Sequence, residues 1–142
     1  MNQSLSYRSV LDAIGLYVER AGGVDVFVNE LHEGFLISFV ADDKQRVATL
    51  GMDELARLYD EASRPKGGLF RKRESRSENS ARLRAVGRFL DSQTMAAGLV
   101  LQERPNGYEL EYTGLVDVRD EFSGITRRHE LLDEGRLQAL SK

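Results

Sequence analysis

Cysteine is absent from the 142 residues, and histidine occurs only twice. The first absence excludes a disulfide framework and thiolate chemistry. It suits a reducing compartment, so the expected location is the cytoplasm. With only His32 and His129, no H-x-x-x-H pair exists to build a zinc site. Long apolar runs are missing too, and none approaches a membrane span, so no membrane partner is expected. The opening M-N-Q-S-L-S-Y-R has no basic stretch leading into an apolar one, as a secretory leader would. G-x-S-x-G, G-x-x-x-x-G-K-[ST] and G-x-G-x-x-G, the loops that position nucleophiles and phosphates, do not occur. No cofactor is expected, and no nucleophile or base is recognisable. The chain reads as non-enzymatic only by default of such a constellation.

What is present is a globular composition. Hydrophobic residues make up 41% and charged residues 30%, far from the disordered class. A chain of this length is one ordinary domain and can bury roughly two thirds of its unfolded surface. The pI near 5.5 argues against a dedicated nucleic-acid binder, although a local basic patch can still hold a polyanion.

In the first half, Tyr7, Val10, Leu11, Ile14, Tyr17 and Val18 recur at helical spacing, with Ser4 or Ser6 as cap and Gly22-Gly23 as stop. Three strands follow at 24–28, 35–40 and 46–50, separated by His32-Glu33-Gly34 and Asp42-Asp43-Lys44. Leu55, Leu58, Tyr59 and Ala62 then mark a second helix, with Asp53 and Glu54 favouring its N-terminal dipole. In the second half, Leu83, Val86, Leu90 and Thr94 give a helix face from about Ser80. Leu99 to Leu101 is a strand, and Asn106-Gly107 signals a hairpin. Tyr108 to Tyr112 alternates, and Leu115 to Phe122 returns through Ser123-Gly124 to a strand at 125–131. If Gly114 is a bulge in one long strand, the order is α-β-β-β-α in both halves. Leu137 and Leu140 belong to the closing helix.

The halves also align residue by residue. Ala13 to Val18 matches Ala85 to Leu90, and Val28 to Phe35 matches Leu101 to Tyr108. The expected fold class is therefore α+β: two αβββα repeats with pseudo-twofold symmetry, an antiparallel sheet covered by helices on one face. The units would be residues 1–62 and 80–142, joined by 63–79, in one domain that arose by internal duplication. Turns at Glu33-Gly34 and Asn106-Gly107 would set Val28 opposite Phe39 and Leu101 opposite Tyr112. The predicted core holds Val10, Ile14, Val26, Val28, Ile37, Phe39, Leu55, Leu58, Val86, Leu90, Leu101, Leu110 and Tyr112.

The connector is the strongly basic window. From Arg64 to Glu78 it carries a net charge of +4, against −3 for the whole chain, which leaves −7 elsewhere. Arg64, Lys66, Arg71, Lys72, Arg73 and Arg76, continued by Arg82, Arg84 and Arg88, have the charge to neutralise phosphates. Phe70 alone is there to stack on a base, which is poor for a single-strand binder. A solubilising tether is the plainer account, with Phe70 packed on its own domain.

Three other clusters merit weighing. Glu30 and Glu103 occupy equivalent repeat positions and would face inward, opposite Ile37 and Leu110. Paired carboxylates near a twofold axis can share a proton or hold a cation, whereas two unrelated rim ion pairs need no such role. The Ser123-Gly124 hairpin sets His129 beside Val118 on the apolar face, as a half-buried structural histidine, and leaves His32 in a turn. Asp117, Asp120 and Glu121 lack the alternating oxygen ligands of a calcium loop and read as a solvated charge run.

The element order resembles, at the level of fold, small acidic chaperone-like and adaptor proteins with helices on a three-stranded meander. Fold does not imply function. The expectation that follows is a non-catalytic protein-binding module with a protein partner, or a homodimer, docking on sheet surface or an edge strand. The alternatives are an anion or nucleic-acid binder acting through the connector, and a small enzyme using Glu30 and Glu103 in a cleft between the repeats.

Overall fold

Ser6 opens the first helix, α1 (Tyr7–Ala21). Its backbone is extended, and its hydroxyl accepts the Ser9 N–H at 3.1 Å, satisfying one of the donors a helix start leaves free. At the other end Gly22 takes φ 70°, and the Gly22 and Gly23 N–H groups bond back to Glu19 and Val18 at 3.0 and 2.9 Å. This computed structural model describes residues 5–63, 78–93, 96–115 and 125–141.

Three strands follow, β1 (Val24–Leu31), β2 (Gly34–Ala41) and β3 (Lys44–Gly51), and then helix α2 (Met52–Ser63). The second half repeats the order with α3 (Glu78–Asp91), β4 (Ala97–Arg104), β5 (Gly107–Leu115), β6 (Ile125–Asp133) and α4 (Glu134–Ser141). The fold is α+β. Among the described residues, four helices lie with one six-stranded antiparallel sheet of order β3-β2-β1-β4-β5-β6. The first strands of the two halves, β1 and β4, meet at its centre and join the meanders into one sheet.

Alternation sorts the side chains. Val26, Val28, Ile37, Phe39, Leu99, Leu101, Tyr108, Leu110 and Tyr112 point to the helical layer and are buried. There they meet Val10, Leu11, Ile14 and Val18 of α1, Leu55 of α2, and Leu83, Val86 and Leu90 of α3. Every predicted core residue is buried except Leu58, which packs at the margin. Helix α1 packs on α3 across the centre, with α2 and α4 outside them. Glycine permits the approach: a Cβ on Gly15 would lie 2.7 Å from Ser80 Cα, and one on Gly87 2.4 Å from Arg8 Cα. Asp91, the last residue of α3, turns both carboxylate oxygens onto the start of α1. It accepts the Tyr7 N–H at 2.9 Å and the Arg8 N–H at 3.0 Å.

Three expectations are corrected. The hairpin turns are His32-Glu33 and Pro105-Asn106, so Val28 faces Ile37 rather than Phe39, and Leu101 faces Leu110 rather than Tyr112. Glu30 accordingly faces Phe35, and Glu103 faces Tyr108. A two-residue slip preserves the faces, so the core survives the error. The glycines are there for close strand approach instead: a Cβ on Gly34 would lie 2.4 Å from Leu50 O, and one on Gly107 2.0 Å from Leu132 O.

Gly114 is no bulge, since it pairs with Thr126 in an unbroken β5–β6 ladder. The bulges lie instead between Val24 and Phe27 and between Ala97 and Val100, where Asp25 and Gly98 take positive φ of 57° and 65°. His129 pairs with Glu111 on the outer face, with its side chain 55% exposed, not beside Val118 on the apolar one. The β5–β6 register differs from the expected one by an odd number of residues, which exchanges the two faces of β6. Val118, Asp117, Asp120, Glu121 and the Ser123-Gly124 turn lie outside the described residues.

Candidate functional site

The seam between β1 and β4 is short. Phe27, Val28 and Asn29 pair with Gln102, Leu101 and Val100. Beyond each end of this ladder, where a bulge withdraws the strand from its neighbour, a glutamate side chain takes over. Glu103 Oε1 accepts the Val26 N–H at 3.0 Å, and Glu30 Oε1 accepts the Leu99 N–H at 3.0 Å. A carboxylate receiving a main-chain N–H makes a charge-assisted hydrogen bond, stronger than its neutral counterpart.

Glu30 has a second donor. The Tyr7 hydroxyl gives it a hydrogen bond of 2.6 Å from the first turn of α1, with Ala96 O at 3.4 Å. Burial first, and then this bond and the charges of Glu30 and Asp91, push the Tyr7 phenol above its ordinary range. It stays un-ionised and tethers α1 to the seam.

The structure does not bring the two carboxylates together. Glu103 acts at Val26 and Glu30 four residues further along β1, roughly 13 Å of strand away. Each accepts a main-chain N–H at its own end of the seam.

Among the described residues no helix covers the other face of the sheet, which differs sharply in composition across its width. Two rows follow from the register. One reads Val47, Ser38, Phe27, Gln102, Glu109, Leu131, and the next Thr49, Leu36, Asn29, Val100, Glu111, His129. Val40 and Gln45 extend the face at one end. Over β3, β2, β1 and β4 as far as Gln102 the side chains of these two rows include no charged residue, in a chain that is 30% charged. Val47 stands 62% exposed and Leu131 43%.

The charges gather on β5, β6 and the end of β4. His129 Nε2 meets Glu109 Oε2 at 2.7 Å, and Arg104 Nη2 meets Glu109 Oε1 at 2.8 Å. Those two hydrogen bonds, that of His129 foremost, hold the Glu109 carboxyl below the usual carboxylate range. His32 lies exposed in the β1–β2 turn, as expected. Among the described residues no group of three or more potential metal ligands comes together.

Arg64, Lys66, Arg71, Lys72, Arg73 and Arg76 of the basic window lie outside the described residues, as do Leu69 and Phe70. Of the basic residues that continue it, Arg82 pairs with Glu134 and lies over the Tyr108 ring at 5.1 Å. Arg88 donates to Leu140 O at 2.9 Å. These two brace α3 against β5 and α4. No described helix is long and apolar enough to cross a membrane.

Sequence reasoning missed the Asp91 cap, the tyrosine–glutamate tether and the charge-free face. The last was legible in principle, because the outward positions of β1 to β4 can be read from alternation alone. The first two join residues far apart in sequence and leave no local pattern. Compared with known proteins, the chain matches no family model, no curated protein and no solved structure.

Proposed function

We propose that this chain is a fused pair of αβββα units that serves as a non-catalytic protein-binding module, docking a partner on the open face of its sheet. What supports the duplication is a set of contacts that occur twice at a constant spacing. The bulges at Asp25 and Gly98, and the donors Val26 and Leu99 with their acceptors Glu103 and Glu30, stand 73 residues apart. Under that spacing the central pair Val28 and Leu101 exchanges with itself. The helical close approaches, Gly15 on Ser80 and Gly87 on Arg8, exchange at a spacing of 72.

The observation that carries the functional half is the uncharged stretch of face over β3, β2, β1 and β4 up to Gln102, with Arg104 at its edge. Depletion of charge, with scattered apolar side chains among amides and hydroxyls, is what the centre of a protein interface requires. A charged side chain buried there without a partner would cost more than the contact returns. Glu109, Glu111, Arg127 and His129 then form a polar rim on one side.

The test places a charge in the middle of that face. Leu36→Lys is expected to abolish capture of protein partners from native lysate, or self-association by light scattering, and to leave the melting temperature nearly unchanged. Retention should resist salt, because the contact is not electrostatic. Partners held equally by the Leu36→Lys protein, and released by salt, would refute the reading in favour of the basic window.

A further inference from the structure

Between the start of α1, the tip of the β1–β2 hairpin and the first turn of α2 lies a half-open cavity of about 290 Å³. Leu5, Val10, Phe35 and Met52 form its apolar wall, and Glu30 and Tyr7 its polar end. The size is at the small end for a small-molecule or side-chain site. Of the ten residues lining it, Glu30 alone bears a formal charge at neutral pH.

Glu30 Oε1 is committed to the Tyr7 hydroxyl and the Leu99 N–H, whereas Oε2 has no partner among the described residues. An ionised carboxylate offers about four lone-pair sites, so half its accepting capacity is left for an occupant. Tyr7 supplies no competing cation, and Asp91, within electrostatic reach of Tyr7, adds to the negative potential. An anion would be repelled, and a neutral molecule would leave the half-buried charge uncompensated.

We propose that this cavity binds an alkylammonium group, with an apolar stem along Leu5, Val10, Phe35 and Met52 and the ammonium on Glu30. Two sources carry that chemistry, a free alkylamine and the lysine side chain of a partner protein. The site lies on the helical side of the sheet and stands independently of the uncharged face.

The test is an amide chemical-shift titration of the full chain with n-pentylammonium chloride, with n-pentanol as the uncharged control. Saturable shifts are expected at Tyr7, Val10, Leu31 and Phe35. The ammonium should bind about three- to fivefold more tightly than the alcohol, as one partly exposed ion pair allows. Glu30→Gln keeps an acceptor for the Leu99 N–H and should erase that preference. Ala96→Leu fills the cavity from its rim without altering the carboxylate, and should abolish binding of both probes even if Glu30→Gln fails to fold. Nα-acetyl-lysine N-methylamide shifting the same amides would support the proposal and name a partner's lysine as the source. Shifts from the free amine alone would support it with a free amine as the source. Equal binding of alcohol and ammonium, or shifts that survive Ala96→Leu, would overturn it.

Discussion

The Glu103 carboxylate accepts the Val26 main-chain N–H at 3.0 Å, closing a donor where β1 falls out of register with β2. A half-buried N–H left open there would lose a charge-assisted bond worth more than a neutral one. Glu103→Ala is therefore expected to cost about 1–3 kcal/mol in urea denaturation, with Glu103→Gln recovering most of it through its amide oxygen. Equal losses in the two variants would show that the hydrogen bond is not what Glu103 contributes.

The α1–α3 crossing makes a graded prediction. An added methyl meets main chain at both glycines, at 2.7 Å for Gly15 and 2.4 Å for Gly87. Main chain cannot rotate away as a side chain can, so both alanine variants should lose about 1–3 kcal/mol, Gly87→Ala the more. Thermal or urea unfolding of the pair checks the order.

Tyr7 predicts a loss of stability in alkali. Its folded-state pKa is raised above the ordinary tyrosine value of about 10. The contribution is thus whole below pH 10, and it declines as pH rises beyond that towards the folded-state value. Tyr7→Phe cannot ionise, so it should flatten the fall in urea midpoint above pH 10. The slope that remains belongs in part to Tyr112, whose phenol burial also raises. At neutral pH the same variant should cost about 0.5–1.5 kcal/mol for the bond to Glu30.

The two faces of the sheet should respond unequally to truncation. Ile37 and Leu110 are fully enclosed, so Ile37→Ala and Leu110→Ala are each expected to cost about 2–5 kcal/mol. Val47→Ala, on the open face, should stay within about 0.5 kcal/mol. A large loss at Val47 in dilute solution would mean that the face is already covered by a second copy.

Strand identity and inward face were readable because alternation survives an even slip. The thirty-fifth, thirty-seventh and thirty-ninth positions point inward whether the turn is placed at Glu33-Gly34 or at His32-Glu33. Glycine misled because it was taken for a turn former, when Gly34 and Gly107 are bare to admit the neighbouring strand. His129 went to the wrong face because its register was counted back from a presumed tip, and counting error of one residue inverts a strand. The carboxylates Glu30 and Glu103 were singled out as matching positions of the two halves, but their partners, Leu99 and Val26, depend on which strands meet. Nothing local in the sequence specifies that β1 pairs with β4. Asp91 at the foot of α1 is hidden for the same reason, more than eighty residues away.

The seam also orders events in time. The β1–β2, β2–β3 and β4–β5 hairpins close through two-residue turns, and such hairpins form within roughly 1–10 μs. Val28 and Leu101 meet only after a loop of 73 residues has closed, an entropic search that no local contact shortens. Docking of one half on the other is thus the slow event, and the rate of folding belongs to Val28, Leu101 and the α1–α3 crossing rather than to the hairpins. Cleaving the chain between residues 64 and 77 would turn that search into a bimolecular reaction, and refolding would then depend on the concentration of the two pieces.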